Sequence, residues 1–594
     1  MTEKTFIKGK DRDLESSIAG MQQKLAAIGI EIEEASWLNP VPNVYSVHIR
    51  DRECELMFTN GKGASRKACL ASALGEYFER LSTNYFFADF YLGEEHAGAD
   101  FVHYPDERWT RGPDFRRHML DEALWRFYDP EQQLTAEQLC DTNSANRRRG
   151  VCCLPFVRQR DASAIWFPVN IIGNLYVSNG MSAGNTPAEA RVQALSEIFE
   201  RHVKNRIIAE GICLPEVPPE VLQRFPAIEQ AIAELEQHGY HLRVADASLG
   251  GRYPVMSVTL INPRDATVFA SFGAHPCFEV ALERTVTELL QGRGLHELDG
   301  FQPPSMDRDE VADPHNLETH FIDSSGLIAY DFFKSTPDYA FCDWDNDASS
   351  ENEFQDLCER IHAMGFDIYI ADYEHLGVYS CRILVPGMSE IYPVDDLLWN
   401  NNNEGARFRE AILSLRDGNP QQWMRLFEQL DTGGYHDMQR VAEFIGIAPD
   451  HGSVWATLRL GELKTMLCLA AGEQQTASRW VDWCLHMDQL TVCRLHLYHC
   501  IRALLDIELD SSRHYPDFEA GLAKIYGQEY LGISRKIVDG DEIFHGLHSP
   551  GLSLQGFETH AQLLQTYSRL QSIKRRHWQG QQETSQHVAT QGTA

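Results

Sequence analysis

Two segments of the chain repeat a pattern in which carboxylates are followed by an arginine. Segments 72–80 (SALGEYFER) and 193–201 (QALSEIFER) agree at six of nine positions. Both are preceded by an Asn-Gly pair, which is typical of a turn, and by a second glycine. These matching flanks argue against a chance likeness between two amphipathic helices. The flanking residues are Asn60-Gly61 and Gly63 in the first copy, and Asn179-Gly180 and Gly184 in the second.

A third, weaker copy aligns without gaps and follows a strand-like segment and Gly273. There Arg284, Glu288 and Gln291 occupy positions i, i+4 and i+7. On a helix these positions share one stripe, because i+4 and i+7 both lie within about 40° of i. Taken alone, each helix fits an amphipathic surface helix with a solvated charged face. The repetition instead predicts three strand–glycine turn–helix units, each with one buried and one charged face.

If the three charged faces converge, six carboxylates meet three arginines and leave a residual charge of −3. Like carboxylates in one cavity cannot all stay ionised without cations. Hard oxygen ligands without His or Cys favour Mg²⁺, and arginine donates paired hydrogen bonds to phosphate oxygens. The pattern therefore predicts a nucleoside triphosphate bound with Mg²⁺. The carboxylates are Glu76, Glu79, Glu189, Glu197, Glu200 and Glu288, and the arginines are Arg80, Arg201 and Arg284.

The order of elements along the chain predicts two folded domains. Up to about residue 395, β-rich runs alternate with helical patterns, which is typical of an α/β or α+β layered domain. The rest is almost wholly helical, and its helix pairs are consistent with a tetratricopeptide-like array. We expect domains at 1–395 and 396–575, a loop at 399–403 and a disordered tail at 576–594. We also expect residues 1–395 to bind the nucleotide without the remainder.

Composition narrows the class of protein. Among 594 residues, 53 Lys and Arg stand against 86 Asp and Glu, a net charge of −33. This excess argues against a direct nucleic-acid partner, because phosphate binding needs concentrated Lys and Arg. There is no apolar run of about 18 residues, and the first residues lack the apolar core of a secretory signal. We therefore expect a cytoplasmic protein without a membrane span.

The fourteen cysteines are not spaced like ligands, since no Cys-x-x-Cys pair occurs. We therefore predict neither a zinc ribbon nor an iron–sulfur cluster, and no disulfides in a cytosolic chain. Most should behave as small buried hydrophobic residues. Covalent catalysis by the vicinal pair Cys152-Cys153 is a third hypothesis, but the sequence supplies no fixed His or acid as its partner.

Taken together, the three elements resemble the ATP-binding signature of the YcaO family, and the similarity covers most of residues 1–395. It is carried by Ser72-x-x-x-Glu76-x-x-Glu79-Arg80, by Gln193, Glu197, Glu200 and Arg201, and by Arg284-x-x-x-Glu288. The resemblance implies a YcaO-type fold with an Mg²⁺-dependent ATP site. By matching position, the implied ATP-site residues are Lys10, Ser17, Ser72, Glu76, Glu79, Arg80, Asn185, Glu189, Gln193, Glu197, Glu200, Arg201, Arg284 and Glu288. The implied metal ligands are the six glutamates among them.

The resemblance also implies an activity. In the family, ATP activates a peptide amide oxygen for nucleophilic attack, which yields azolines, thioamides or amidines. A stand-alone branch is linked to β-methylthiolation of an aspartate in a small-subunit ribosomal protein, as an accessory factor to the methylthiotransferase RimO. Azoline-forming members commonly end in a proline-rich tail, whereas this sequence has no proline after Pro550, which favours the accessory branch. The alternatives are ATP-dependent modification of a peptide backbone and an ATP-stabilised interaction scaffold; we expect a homodimer.

Overall fold

The computed structural model describes residues 4–591 except 113, 142, 145–146, 299, 396–402 and 488–489. Within these residues, the first part of the chain is mixed α/β and the part after residue 402 is helical, as predicted. Of the loop expected at 399–403, positions 399–402 lie outside the described residues, and Asn403 is the first residue of a helix. The tetratricopeptide-like arrangement stays a prediction.

The strands form three antiparallel sheets within the described residues. The first has the order β1-β2-β3, the second β10-β9-β8, and the third β4-β5-β11-β12-β7 with β6 paired to β5. The strands are β1 (Ile32–Val41), β2 (Val44–Asp51), β3 (Phe58–Gly63), β4 (Arg108–Thr110), β5 (Val151–Arg158), β6 (Ala164–Pro168), β7 (Met181–Gly184), β8 (His241–Asp246), β9 (Val255–Asn262), β10 (Thr267–Ala274), β11 (Tyr369–Tyr373) and β12 (Tyr379–Leu384).

Helices cover the sheets and make up the second part of the chain. Those before the boundary are α1 (Leu14–Ala27), α2 (Arg66–Ser82), α3 (Gly93–Ala97), α4 (Glu122–Tyr128), α5 (Val169–Ile171), α6 (Pro187–Glu210), α7 (Pro219–Leu222), α8 (Pro226–Gln237), α9 (Phe278–Leu289), α10 (Arg308–Val311), α11 (Pro314–Ile322) and α12 (Ser350–Ala363). Those after it are α13 (Asn403–Ala406), α14 (Arg409–Leu413), α15 (Pro420–Thr432), α16 (Val441–Ile445), α17 (Val454–Thr457), α18 (Leu460–Ala471), α19 (Gln474–His486), α20 (Val492–Glu508), α21 (Tyr515–Tyr526), α22 (Gln528–Asp539) and α23 (Glu558–Gln591). Among the helices described, none combines the length and apolar character that a membrane crossing requires.

Each of the three repeated segments forms a strand followed by a helix: β3 leads into α2, β7 into α6 and β10 into α9. The predicted turn at Asn179-Gly180 is present, directly before β7. The turn predicted at Asn60-Gly61 is wrong, because both residues lie inside β3. There the glycine serves close packing between the strand and the helix.

Glycines allow each strand to lie directly on its helix. A Cβ atom at Gly61 would lie 2.8 Å from the backbone nitrogen of Ala73, and one at Gly273 would lie 2.7 Å from that of Thr285. Ala73 and Thr285 occupy equivalent positions in the gapless alignment of the first and third copies. The same close approach thus supports the third copy independently of its charged residues.

The three strand–helix units close a ring. Helix α2 packs on its own strand β3 and on β7, α6 packs on β7 and β10, and α9 packs on β10 and β3. The apolar faces predicted for α2 and α9 are buried, as at Leu74 and Tyr77 in the first and Leu282 and Leu289 in the second. With their apolar faces turned to the sheets, the helices leave their charged faces for the centre of the ring.

The last helix, α23, returns to the first part of the chain and packs behind α2. The Tyr567 ring lies edge-on to Phe87, with 4.9 Å between centroids, and its hydroxyl donates to the Val102 carbonyl at 2.5 Å. Apolar residues of α2 and α23 share one hydrophobic core. The buried Lys574 ammonium donates to Asn84 Oδ1 at 2.5 Å, two residues beyond the end of α2.

One expectation about the C-terminal part needs correction. Residues 576–591 are not a disordered tail but continue α23, because their Arg and Gln residues favour helix and the preceding turns are already anchored. Residues 558–575, which we assigned to the helical second domain, also share a hydrophobic core with α2 of the first. The boundary itself stays a prediction.

We expect residues 1–395 alone to be unstable and to lose the site, contrary to the independence that the sequence suggested. Removing residues 558–594 should have the same effect, because it uncovers the buried apolar face behind α2. The measurement is the melting temperature of each purified variant by circular dichroism. Removal of residues 585–594 alone is the control and should leave the melting temperature unchanged. A fragment 1–395 that melts like the full chain would contradict this account.

Candidate functional site

All fourteen residues that the sequence singled out line one cavity of about 970 Å³. The cavity lies where the charged faces of α2, α6 and α9 meet, and residues 7–17 before and within α1 close one side. Ligand sites in proteins span about 300–1,000 Å³, so this volume accommodates a large polar ligand with ions. The structure thus brings the three repeated faces together, while the role of each residue as a ligand stays a prediction.

Helix α2 contributes two glutamates that share one arginine. Arg80 Nη2 donates to Glu76 Oε1 at 3.2 Å, and Arg80 Nη1 lies 3.6 Å from Glu79 Oε1. The guanidinium also lies over the Tyr85 ring, 4.5 Å from its centre. Burial raises the pKa of Glu79 well above its usual value, although Arg80 opposes the shift, and the neighbouring Glu197 raises it further. The fold therefore holds at this point a carboxylate that is costly to ionise.

The N-terminal segment is tied to the start of α6 through Glu189. Lys10 Nζ lies 3.3 Å from Glu189 Oε1, and the Asp11 N–H donates to Oε2 at 2.9 Å. Asn185 Nδ2 donates to the same carboxylate at 3.0 Å and in turn accepts a hydrogen bond from Ser17 Oγ at 2.8 Å. These contacts bring Glu189, which the charged face of the helix had already singled out, into one network with Lys10, Ser17 and Asn185, which the resemblance had grouped with it.

Helices α6 and α9 meet through side chains on their charged faces. Arg201 lies 2.7 Å from Glu197 Oε1, and its guanidinium carbon lies 4.4 Å from the centre of the Phe321 ring. Arg284 donates from Nη1 to Gln193 Oε1, whereas its Nε is buried without a partner among the described residues. An unpaired buried donor is costly, and an anionic ligand in the cavity would satisfy it.

Two lysines that sequence reasoning missed also line the cavity. Lys62, on β3, pairs with Glu288 of α9. Lys204, on α6, donates to the His320 carbonyl at 2.6 Å and to Ser324 Oγ at 3.2 Å. Burial lowers the pKa of each ammonium to about 8. Helical spacing could have identified Lys204 as a cavity residue, because it continues the charged stripe of α6. Lys62 lies between two glycines in a strand, and the sequence there contains no pattern that would identify it.

These lysines change the charge balance on which the sequence argument rested. When every charged side chain that lines the cavity is counted, nine Lys and Arg residues face nine Asp and Glu residues. The residual charge of −3 is therefore wrong as a reason for bound metal. Among the described residues, no three acidic, His or Cys side chains lie close enough together to hold an ion unaided. Mg²⁺ bound here together with a nucleotide would share its coordination with the phosphates, which is its usual mode.

His275, just beyond β10, adds a neutral group to the cavity. Its Nδ1 accepts the N–H of Cys277 at 3.0 Å, and burial lowers its pKa to about 3. The ring therefore stays uncharged at neutral pH, and Nε2, beside Gly9, carries the proton.

The third hypothesis, catalysis by the vicinal cysteines, does not fit the structure. Cys152 and Cys153 lie in β5 and are fully buried. Burial raises the pKa of both thiols well above the usual value. Because the thiolate is the reactive form, neither thiol is suited to act as a nucleophile.

Comparisons with known proteins agree along the whole chain. A family model described as YcaO cyclodehydratase, ATP- and Mg²⁺-binding, matches residues 60–389, and one described as YcaO cyclodehydratase C-terminal domain matches residues 405–576. The chain is 54% identical over 581 residues to the ribosomal protein S12 methylthiotransferase accessory factor YcaO of Escherichia coli, covering 97% of this chain and 99% of that protein. It is 52% identical over 586 residues to an uncharacterized protein of Haemophilus influenzae, covering 97% and 100%.

Among solved structures, the chain is similar to that of YcaO from Methanopyrus kandleri bound with AMPPCP and Mg²⁺. The sequence identity is 18% and the TM-score 0.40, with 65% of this chain and 95% of that chain covered.

Glu79→Gln should raise the melting temperature of the ligand-free protein at pH 8. The raised pKa means that ionising Glu79 costs stability as pH rises above the unfolded-state value of about 4.3, and glutamine removes that cost. The gain should shrink as pH falls from about 8 towards 5.5, because the advantage that the unfolded state gains by ionising this carboxyl falls with pH. Thermal melts across this range test it.

Glu210→Gln is the control, because this carboxylate at the end of α6 is half exposed and pairs with Arg206 outside the cavity. It should shift the melting temperature little at any of these pH values. If Glu79→Gln lowers the melting temperature at pH 8 by several degrees, Glu79 is a structural partner of Arg80 and the account of its burial is wrong.

Proposed function

We propose that this chain, which belongs to the YcaO family, binds ATP with Mg²⁺ in the central cavity and acts as an accessory factor for β-methylthiolation of an aspartate in a small-subunit ribosomal protein. The observation that carries the nucleotide site is the convergence of all fourteen family-matched residues on one cavity. The accessory role is supported by the 54% identity to the Escherichia coli protein across 97% of the chain.

The ligand-free cavity is suited to an exchange of ionic partners. Its carboxylates lie against cations of this chain, as in the pairs Glu197–Arg201 and Glu189–Lys10. In the proposed complex, the glutamates of α2, α6 and α9 turn to Mg²⁺, and the arginines and lysines turn to phosphate oxygens. Both sets of charges stay compensated, so the exchange avoids leaving a buried ion unpaired.

Individual contacts indicate how the chain would orient the nucleotide. The Nε–H of Arg284 has no hydrogen-bond partner among the described residues, whereas its Nη1 donates to Gln193. The Nε–H is therefore suited to donate to a phosphate oxygen. Ser17 and Asn185 offer neutral hydrogen-bonding groups on the side of the cavity that residues 7–17 close. Bound ATP would supply a phosphoryl or nucleotidyl group for activation, and the residues named here would position it.

A second candidate function is ATP-dependent activation of a peptide amide, as for azoline or thioamide formation. It is favoured by the description of the matching family model as a cyclodehydratase. An ATP-stabilised interaction scaffold is the third. In each case we propose that the helical region after residue 402 binds a protein partner, which is RimO, the ribosomal protein or a second copy in a homodimer. We also propose that its helix pairs are tetratricopeptide-like.

MgATP should raise the melting temperature of the protein, and ATP in excess EDTA should not. The bare triphosphate would meet carboxylates with no metal to bridge them, so its affinity and its linkage to stability should be low. Glu79→Gln and Glu200→Gln should each weaken MgATP binding about tenfold or more, whereas Glu210→Gln should bind as wild type. Calorimetric titration measures the affinities. Equal stabilisation by ATP with and without EDTA would contradict a metal-dependent site.

The accessory role is tested in cells that lack their own homologue. Supplying this chain should restore the methylthio modification of the ribosomal aspartate, read as the intact mass of the ribosomal protein. The Glu79→Gln variant should fail and the Glu210→Gln variant should succeed. Unmodified ribosomal protein despite good expression and MgATP binding would exclude this role and favour the peptide-modifying alternative.

A further inference from the structure

Lys62 reaches the cavity from a strand, unlike the glutamates of the repeated motif, which lie on helices. Successive side chains of a strand point to opposite faces. A Cβ atom at Gly61 or Gly63 would collide with α2, so this face of β3 lies on that helix. The intervening Lys62 therefore projects to the other face, where α9 packs against β3 and the cavity opens.

The ammonium of Lys62 lies where the charged faces of all three helices meet. It forms an ion pair with Glu288 of α9. Its other charged neighbours are Glu76 of α2, Glu197 and Glu200 of α6, and the like-charged Arg284 of α9. Lys62 is thus the central cation among carboxylates that come from three separate elements.

We propose that Lys62 is a phosphate-binding residue of this site. Its ammonium compensates the charge of the carboxylates in the empty cavity, and when MgATP binds it moves away from Glu288 and pairs with the triphosphate. This inference rests on the proposed function, because it assigns one more residue to the same nucleotide.

The physical chemistry of lysine suits this exchange. Its ammonium is a compact charge on a flexible four-carbon stem, so it can change partners without movement of the backbone. The side chain is 23% exposed and that of Glu288 34%, which leaves both groups open to the cavity. Once Glu288 and the neighbouring glutamates turn to Mg²⁺, the triphosphate is the remaining anion within reach, and an ammonium left unpaired there would be costly.

A purely structural ion pair between Lys62 and Glu288 predicts something different. Loss of such a pair would weaken the packing of β3 against α9, and binding of every ligand would fall with stability. The proposed exchange instead predicts opposite signs. Removing the ammonium should weaken MgATP, which loses a partner, and strengthen Mg²⁺ alone, which no longer competes with a resident cation for the carboxylates.

Calorimetric titration of the full-length protein tests this with Lys62→Met, Lys62→Arg and a control, Lys67→Met. Lys67 is also paired with a glutamate, Glu15, but lies outside the cavity and is half exposed. Lys62→Met should weaken MgATP about tenfold or more and bind Mg²⁺ alone more tightly than wild type. Lys62→Arg should recover part of the MgATP affinity, and Lys67→Met should match wild type in both titrations.

Wild-type affinity of Lys62→Met for MgATP would overturn the inference and leave the nucleotide site standing. A parallel loss of MgATP affinity, Mg²⁺ affinity and melting temperature would also overturn it, in favour of a structural pair. If the wild-type protein does not bind MgATP, the proposed function itself fails, and the inference fails with it.

Discussion

Nine carboxylates and nine cationic side chains line one cavity, and the rest of the structure depends on keeping them paired. A buried charge without a partner costs several kcal/mol, so each carboxylate needs a cation within reach. Some pairs lie along one helix, as Glu76–Arg80 and Glu197–Arg201 do. Others, such as Lys62–Glu288, join different elements. Charge compensation therefore acts both within single helices and between elements, and it leaves a cavity whose ionic partners can be exchanged.

The fold meets this constraint through the ring of three strand–helix units. Each helix rests on its own strand and on the next one, so that no single unit could hold its charged face inward alone. Glycines such as Gly61 and Gly273 bring strand and helix into direct contact. The outer support for α2 comes from α23, more than 470 positions later in the chain. The helical region is therefore connected through α23 to α2, one of the three helices that line the cavity.

Periodicity and repetition were enough to predict the three units, their buried faces and the convergence of their polar residues. They failed where the information is non-local. The contact between Tyr567 and Phe87 joins distant parts of the chain, so the sequence did not show that α23 packs behind α2, and the end of this helix was assigned to a disordered tail. Lys62 sits in a strand with no repeated counterpart, and without it the charge of the cavity was counted as too negative. A resemblance could group Lys10 and Ser17 with the site, but only the structure shows Glu189 and Asn185 as the residues that bind them.

The central claim is that the three faces form one site for one nucleotide and its metal. The most direct test is a crystal structure with a non-hydrolysable ATP analogue and Mn²⁺ in place of Mg²⁺, in which anomalous scattering locates the metal. We predict manganese peaks in the cavity, coordinated by carboxylates from at least two of the helices α2, α6 and α9, with the triphosphate beside Arg284 and Lys62. Nucleotide density outside the cavity, or a cavity whose carboxylates keep their present partners while the nucleotide is bound, would contradict the account.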